Sequence, residues 1–446
     1  MSRERMDHAD AAWLRMDSPT NLMVVNSVLW FDGPVDEEAL RAVLADRLVS
    51  RFRRFRQRVA EDHGTWWEDD PNFDLTRHIH SVALPAPGRR RELEAFVASY
   101  LTVPLDRSRP LWDLYVLDEH DGGTAMLFRM HHCIADGIAL TRVLLSLTDD
   151  GESYAGVASD TAERSGPHGR LGGLARGALH EAIATVTHPG HLVDLAVTGF
   201  RGAQSLTKLL LLPPDGRFWE RRTGLDKQVT WSEPIPLDRI KRACHASHAT
   251  INDVLLAAVA GALRSDRERR GSAVHDMRAL VPFNLRPLDQ PLPSGLGNEF
   301  GLVYLDLPLA TASPAGRLEE MSRRMQAIKH SADGAVSYGV LELVGQAPPV
   351  IEKAAVDVFA AKGSAVMTNV VGPREPVTLA GSRLRGTMGW VPMSGTIGLG
   401  VSIFSYAGDV VIGLSVDRLQ VEDAHLLMED ILAELQVLVA RGVSTA

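Results

Sequence analysis

The chain has 446 residues, of which 45% are hydrophobic and 23% are charged, and its formal net charge is -9 at pH 7. This composition is typical of a globular protein, and the length exceeds what a single ordinary core accommodates, so two domains are expected. The net negative charge argues against nucleic acid as the main partner, because a protein that binds a phosphate backbone normally presents a basic face.

The first part of the chain alternates between strand and helix patterns. The predicted strands span residues 22–31, 66–68, 111–117 and 125–132, and the predicted helices span residues 36–48, 90–101 and 143–147. Residues 149–170 have no large apolar residue after Val157 and are predicted to form an exposed linker. Residues 171–212 are predicted to form a helical connector that is broken near Pro189.

The alternation resumes at Val229. Predicted helices span residues 236–244, 253–264, 315–330 and 421–440, and predicted strands span residues 278–285, 302–307, 365–371, 398–406 and 409–416. Thr250 and Asp253 are candidates for capping the second of these helices. The pattern predicts a mixed α/β architecture with an N-terminal domain over 1–150, a linker and helical connector over 151–225, and a C-terminal domain over 226–446.

No apolar run approaches the roughly 20 residues of a membrane span, and the polar N-terminus carries no apolar signal core. The two cysteines, Cys133 and Cys244, suit a reducing cytoplasm and exclude a disulfide framework. We therefore expect a cytoplasmic protein that is not integral to a membrane, while binding to a membrane surface stays open.

Residues 131–137, with the sequence His-His-Cys-Ile-Ala-Asp-Gly, carry the most chemistry in the chain. They follow an alternating apolar strand, and adjacent strand residues point to opposite faces. One of the two side chains, His131 or His132, is therefore expected to face a cavity, and the other is expected to point into the packed interior of the protein. A histidine held in one tautomer at a strand end can take a proton from a hydroxyl near neutral pH. Asp136 and Gly137 are expected to end the strand, with the glycine allowing a tight turn.

Two other interpretations of this motif stay open. A His-His pair is often two packing or surface residues, and Cys133 within the motif is more typical of a small buried filler than of a nucleophile. Two histidines and a carboxylate also form some metal sites. The strand geometry argues against a shared metal, and no other Cys or His cluster has ligand spacing, so no metal site is predicted.

The motif at 131–137 does not stand alone. Six further short motifs accompany it along the chain. They are Pro110-Leu111-Trp112, Asn252-Asp253, Thr368-Asn-Val-Val-Gly-Pro373, Gly389-Trp-Val-Pro-Met393, Ser405-Tyr-Ala-Gly408 and Gly413-Leu-Ser-Val-Asp417. In this order and spacing they resemble the bacterial wax ester synthase/acyl-CoA:diacylglycerol acyltransferase family, from about residue 6 to about residue 440. Two positions depart from the family pattern, with Val371 in place of a proline and Thr368 in place of the more frequent serine.

The resemblance implies the chloramphenicol-acetyltransferase-like fold of the CoA-dependent acyltransferases, in which two similar domains enclose a tunnel with the His motif at its middle. It implies transfer of a fatty acyl group from acyl-CoA, as a substrate and without a further cofactor, to the hydroxyl of a diacylglycerol or a long-chain alcohol. Acylation of a secondary-metabolite hydroxyl, or a lipid-binding paralogue without activity, are the alternatives. Contact with the inner membrane face or with lipid droplets would follow from such substrates.

The resemblance also assigns roles to residues. The expected catalytic group is His132, His131, Asp136, Gly137 and Asn252, the expected substrate-binding group is Asn369, Trp112 and Asp253, and the expected structural support is Arg286. His132 is expected to be the general base, and Asp136 to pair with Arg286. Asn252 and Asn369 are candidates for stabilising the oxyanion, although Asn252 could equally cap its helix.

Some of these positions have plainer interpretations as well. Trp112 could simply pack the domain, and Asp17 resembles an acidic position of the family whose role is open. The arginines between Arg47 and Arg58, interleaved with Phe52 and Phe55, could form a solvated face or could bind lipid headgroups or CoA phosphates.

Overall fold

The computed structural model of the protein describes residues 3–151 and 211–444, apart from residues 216–217, 220–221, 287–289, 330, 332, 345–354 and 356. Most of the predicted linker and connector over 151–225 lies outside the described residues. Within these ranges, the helices are all too short or too polar to cross a bilayer.

Helices and strands alternate through both halves of the chain. The helices are α1 (His8–Arg15), α2 (Glu37–Val43), α3 (Arg90–Tyr100), α4 (Gly137–Ser146), α5 (Leu237–Ser247), α6 (Ile251–Arg269), α7 (Pro314–Lys329), α8 (Asp333–Val344) and α9 (Ala424–Ser444). The strands are β1 (Arg3–Arg5), β2 (Val24–Phe31), β3 (Gln57–Glu61), β4 (Thr65–Asp69), β5 (Ile79–Ala83), β6 (Trp112–His120), β7 (Gly123–His131), β8 (Lys227–Trp231), β9 (Ile235–Pro236), β10 (Met277–Asn284), β11 (Phe300–Leu307), β12 (Ala365–Val371), β13 (Thr378–Leu379), β14 (Ser382–Trp390), β15 (Leu399–Tyr406) and β16 (Asp409–Asp417).

Two large sheets organise the protein. The six-stranded sheet has the order β13-β14-β2-β7-β6-β5, and its central strand β7 is buried along its whole length. The seven-stranded sheet has the order β11-β10-β12-β15-β16-β8, with β9 also pairing with β16. A strand covered on both faces consists of almost continuous apolar residues, which explains the run from Ala125 to Met130 on β7.

The first large sheet draws strands from both halves of the chain. Strand β14 pairs antiparallel with β2, and Trp390 lies opposite Asn26 at the end of this ladder. A small third sheet, β1-β4-β3, lies beside it. The mixed α/β fold was expected, but the contribution of β13 and β14 to the first large sheet was not. We call each large sheet together with the helices packed on it a lobe. The exact domain boundaries stay a prediction, because the two lobes are not two continuous stretches of chain.

Each of the two large sheets has its own apolar core, and a third small cluster lies apart from both. The first core packs around β2, β6 and β7, and the second packs α6 and α9 against the seven-stranded sheet. The third cluster is formed by Leu280, Val366, Met393 and Ile397. Several of its members and neighbours line the cleft described next.

Candidate active site

The two adjacent histidines are anchored to different neighbours at the end of β7. The His131 amide donates to the Leu111 carbonyl at 3.0 Å, and the His132 amide donates to the Met23 carbonyl at 2.7 Å. Both side chains are buried, with exposures of 2% and 4%. The strand ends at this point, and the chain turns through Cys133, Ile134 and Ala135 before α4 begins.

His132 lies in the wall of a cleft of about 790 Å³, a volume that includes its open mouth. Its imidazole stacks on Trp13, with ring centroids 4.4 Å apart and planes inclined by 27°, and lies 5.4 Å from the ring of Phe300. Nδ1 is buried and has no hydrogen-bond partner, which leaves Nε2 as the ring nitrogen available to the cleft.

The surroundings of His132 favour its neutral form. Burial lowers the pKa of His132 to about 4, against the opposing influence of the Asp136 carboxylate and of the Asn298 side chain. A neutral imidazole with an accessible nitrogen can accept a proton. At neutral pH, His132 therefore has the protonation state that a general base needs.

The rest of the cleft is mostly apolar. It is lined, besides His132, Trp13 and Phe300, by Asp136, Gly137, Ile138, Leu280, Pro282, Asn284, Leu302, Val366, Thr368, Asn369, Val370, Val391, Pro392 and Ser394. These residues come from both large sheets and from α1, so the cleft lies between the two lobes. Such a wall suits an acyl or alkyl chain next to a single proton acceptor.

His131 faces the other way and is held by a carboxylate. Its Nε2 lies 3.2 Å from Asp17 Oδ2, while its Nδ1 accepts from the Cys133 amide at 3.1 Å. Asp17 also accepts from the Met23 amide and from Arg107. Burial alone would raise the pKa of Asp17, but hydrogen bonds from His131, Met23 and Arg107 keep it below its ordinary value. His131 therefore supports the loop and does not line the cleft, which also gives Asp17 a definite structural partner.

Asp136 organises the turn between β7 and α4. As the N-cap of α4 it accepts from the Ala139 amide at 2.8 Å, and its other oxygen accepts from the Glu299 amide at 3.1 Å. Arg286 Nη2 lies 3.9 Å from Asp136 Oδ2, with both side chains buried, so the expected contact between them is present. Arg286 also donates to the Gly297 carbonyl at 2.8 Å and thereby supports the segment that carries Glu299.

Gly137 has a different role from the one expected. It is the first residue of α4 and does not have a positive φ, so no tight turn requires a glycine there. A Cβ at this position would meet only Val391, at 3.8 Å, and both residues line the cleft. Gly137 therefore leaves space open beside His132.

Asn252 and Asn369 lie together in a second, larger cleft of about 1390 Å³. The Asn369 amide donates to Asn252 Oδ1, and Asn369 lines both clefts whereas Asn252 lines only the second. Asn252 is not the helix cap, because Thr250 and Asp253 form the capping box of α6. This confirms the predicted capping pair.

Two residues expected to bind substrate have other functions in the fold. Asp253 accepts from the Thr250 amide at 2.8 Å and does not line either of these clefts. Trp112 is fully buried, donates to the Phe55 carbonyl at 2.9 Å and stacks on His78. Each side chain therefore has a structural partner away from these clefts, and its binding to substrate stays a prediction.

The two positions that depart from the family pattern, Thr368 and Val371, lie in different parts of the structure. Thr368 lines the His132 cleft and bonds to Ser402, whereas Val371 is 61% exposed on the wall of the second cleft. The replacement of a proline by Val371 therefore changes the second cleft and not the wall beside His132.

The arginines of residues 47–58 are mainly used within the protein. Arg54 is buried, donates to the Gly295 carbonyl at 2.9 Å and pairs with Glu4 at 3.1 Å. Arg53 also pairs with Glu4, and Arg58 pairs with Glu68. Arginines that are already bonded to the protein do not form a free anionic-lipid or CoA surface, so the interpretation as a binding surface is not supported.

Among the described residues, no group of three or more His, Cys, Asp or Glu side chains is arranged to hold a metal ion. Cys133 is buried, and burial raises the pKa of its thiol, which suits the predicted filler.

Sequence reasoning missed Trp13, Phe300, Asp10 and Asn298. Trp13 and Phe300 pack on the His132 ring, and Asp10 and Asn298 form a buried hydrogen-bonded pair next to it. The spacing of Asp10 and Trp13, three residues apart on one helix, was the available signal, because such residues share a face.

Comparison with protein-family profiles gives two matches that together span most of the chain. Residues 6–255 match the wax ester synthase/diacylglycerol acyltransferase catalytic domain, and residues 296–438 match the WS/DGAT C-terminal domain. A similar protein, the probable diacylglycerol O-acyltransferase tgs1 of Mycobacterium tuberculosis strain H37Rv, is 29% identical over 93% of this chain and 91% of its own length.

Solved structures share the fold. The wax ester synthase/diacylglycerol acyltransferase from Marinobacter aquaeolei VT8 superposes with a TM-score of 0.68 at 20% identity, covering 98% of this chain and 99% of its own. The first condensation domain of the calcium-dependent antibiotic synthetase superposes with a TM-score of 0.65 at 16% identity, covering 99% of this chain and 97% of its own. These likenesses agree with the expected CoA-dependent acyltransferase fold.

Proposed function

Because the chain belongs to the wax ester synthase/diacylglycerol acyltransferase family, we propose that it transfers a fatty acyl group from acyl-CoA to the hydroxyl of a diacylglycerol or a long-chain alcohol. The product is a triacylglycerol or a wax ester. The observation that carries the proposal is the position of His132, a neutral and accessible imidazole in the wall of an apolar cleft between two lobes.

The reaction proceeds without a covalent enzyme intermediate. His132 Nε2 takes the proton of the acceptor hydroxyl as its oxygen forms a bond to the thioester carbonyl carbon. The resulting tetrahedral oxyanion collapses, the carbon–sulfur bond breaks, and the imidazolium gives its proton to the departing CoA thiolate. Both substrates must be bound together, since the proton passes between them on one base.

Asn369 is the better-supported donor to the oxyanion. It lines the His132 cleft and also the second cleft, whereas Asn252 contacts Asn369 and lines only the second. An amide N–H aimed at the developing charge stabilises it more than it stabilises the ground-state carbonyl. In this proposal Asn252 orients Asn369.

Acyl-CoA enters this scheme as a substrate, and each step uses groups of the protein, so no further cofactor is required. The acceptor alcohols dissolve in membranes and neutral lipid, which supports a peripheral contact with the inner membrane face or with lipid droplets. The arginines of residues 47–58 do not support that contact, because most are bonded within the protein.

The test is to incubate the purified full-length protein with palmitoyl-CoA and either hexadecanol or dioleoylglycerol, following free thiol and the ester product. Thiol release that depends on one acceptor and equals ester formed supports the proposal. Absence of transfer to both acceptors, with palmitoyl-CoA still bound, would instead favour the non-catalytic lipid-binding alternative. Transfer only to a polar polyhydroxylated acceptor would favour the secondary-metabolite alternative.

A further inference from the structure

A short segment of the C-terminal half holds the loop that carries His132. The Gly297 amide donates to the Ile134 carbonyl at 3.1 Å, Asn298 Nδ2 donates to the His132 carbonyl at 2.8 Å, and the Glu299 amide donates to Asp136. Three consecutive residues thus bind the loop at its beginning, middle and end. Since these contacts join positions more than 160 residues apart, they hold the base in place across the two lobes.

Asp10 on α1 holds the central residue of this segment. Asp10 Oδ1 accepts from the Asn298 amide nitrogen of the main chain at 3.0 Å and from Nδ2 at 2.8 Å. Asp10 is 2% exposed and Asn298 is 5% exposed, so water does not compete for these bonds. Trp13, one turn along α1, stacks on the His132 ring. One helix therefore positions both the ring and the amide next to it.

Two buried atoms at this place have no hydrogen-bond partner. They are His132 Nδ1 and Asn298 Oδ1. A neutral imidazole that accepts a proton on Nε2 carries its own hydrogen on Nδ1, and a buried N–H without an acceptor is unfavourable. The Asn298 oxygen is a buried acceptor on an amide whose nitrogen is already bonded to His132.

The groups around the His132 ring agree with this arrangement. Burial lowers the pKa of His132, and both its own main-chain carbonyl and the Asn298 side chain act in the opposite direction. Asp136 does not compete for Nδ1, because its oxygens accept from the Ala139 and Glu299 amides. Asn298 therefore links the His132 main chain to Asp10 on α1 by hydrogen bonds, in addition to the direct stacking of Trp13 on the ring.

We propose that Asp10 and Asn298 are positioning residues for acyl transfer. Asp10 fixes the Asn298 amide and Asn298 Nδ2 fixes the main chain of His132, so that the ring keeps the orientation in which the Nε2 lone pair faces the acceptor hydroxyl. The proposal rests on the proposed function for its kinetic consequence, whereas the orientation of the ring can be measured without turnover.

The kinetic test compares Asn298→Ala with a matched control elsewhere. Asn21 is an equally buried asparagine whose Nδ2 donates to the Gly395 and Ile397 carbonyls and whose Oδ1 accepts from Lys227. Asn21→Ala therefore removes bonds of the same kind without removing a bond to residues 132–136. We expect Asn298→Ala to lower kcat by about 10–100-fold with KM for palmitoyl-CoA changed less than about 3-fold. Asn21→Ala is expected to lower the melting temperature with kcat within about 3-fold of wild type.

A second pair of variants separates orientation from charge. Burial raises the pKa of Asp10 to about 7, so a neutral isostere is tolerated at that position. Asp10→Asn can still accept both bonds from Asn298 and is expected to keep kcat within about 3-fold, whereas Asp10→Ala loses about 10-fold or more. If Asn298→Ala does not accumulate as folded protein, the comparison of Asp10→Asn with Asp10→Ala still tests the positioning role.

A spectroscopic readout is independent of turnover. In protein labelled with ¹⁵N-histidine, the His132 signals, identified by their loss in His132→Ala, are expected to report a single Nδ1–H tautomer in the wild type and a mixture in Asn298→Ala. A wild-type kcat and tautomer in Asn298→Ala, or equal loss of kcat in Asn21→Ala, would overturn the proposal. A wild-type enzyme that shows the single tautomer but no acyl transfer would instead refute the proposed function alone.

Discussion

The two clefts that share Asn369 differ in the composition of their walls. The His132 cleft is lined mostly by apolar side chains, and its two titratable groups, His132 and Asp136, are buried, with Asp136 held by hydrogen bonds. The second cleft is larger and carries Lys241, Arg374 and Asp409 together with the amides of Asn252 and Asn369. The first can exclude water from a reacting group, whereas the second offers charged and hydrogen-bonding side chains to a polar ligand.

The difference indicates where the chemistry is performed and how the protein supports it. In the first cleft, a low-dielectric environment shifts the pKa of His132, and fixed dipoles act more strongly there than in water. In the second cleft, exposed groups keep ordinary solvation. Changes in the first cleft should therefore have larger effects on rate than changes in the second.

The largest expected effect comes from removing the base. His132→Gln keeps a polar side chain of similar length but no titratable nitrogen, so we expect kcat/KM to fall by about 10³-fold. The assay follows thiol release from palmitoyl-CoA with the preferred acceptor. His120→Gln is the control, because His120 is also buried and contacts the Gly88 carbonyl far from the clefts. Turnover by His132→Gln at the wild-type rate would remove His132 from the mechanism.

The pH dependence of kcat/KM tests the environment of the same group. The imidazole must be neutral to accept a proton, so activity rises with pH through its pKa in the free enzyme. Since burial lowers the pKa of His132 to about 4, kcat/KM should stay level from pH 7 to about pH 5 and fall below that. A profile that falls about threefold between pH 7 and pH 6, as an imidazole with the ordinary pKa of about 6.5 gives, would show that the ring is solvated and would contradict the contrast between the clefts.

Removal of the Asp136 carboxylate should destabilise the His132 cleft. Asp136→Ala removes the N-cap of α4 and the acceptor of the Glu299 amide, and it leaves the buried guanidinium of Arg286 without this counter-charge. We expect the free energy of unfolding to decrease by about 3 kcal/mol and kcat to fall as the loop loosens.

Asp36→Ala provides the matched measurement for Asp136→Ala. Asp36 caps α2 through the Ala39 amide in an exposed position, so its loss should reduce stability by only about 1 kcal/mol and leave activity unchanged. Urea unfolding of both variants gives the two free energies. Equal losses would mean that burial of Asp136 contributes nothing beyond a surface cap.

The smallest effects are expected where the clefts meet. Asn369→Ala should lower kcat by about 10-fold, because Asn369 lines the His132 cleft, whereas Asn252→Ala should lower it by about 3-fold, because Asn252 acts through Asn369. Initial rates at saturating palmitoyl-CoA measure both. The opposite ranking would assign the oxyanion contact to Asn252 and to the second cleft.

Much of the fold was readable from local pattern. The apolar alternation of residues 125–132, the helical spacing of residues 90–101 and the hairpin after Tyr406 each predicted an element within a few residues of the observed one. Period and turn chemistry depend on neighbouring residues alone. The strand β14 was missed because its alternation contains arginines and glycines, which weaken a strand signal.

The sequence by itself determined that His131 and His132 face opposite ways, since that follows from the geometry of one strand. Only the tertiary structure decided that Asp17 holds the first, that Trp13 and Asn298 hold the second, and that Trp112 packs away from the cleft. These partners come from distant parts of the chain, up to 288 residues apart for Asp10 and Asn298. No local periodicity encodes such pairs, because they form only when β13 and β14 of the C-terminal half join the first large sheet and the two lobes close around a common cleft.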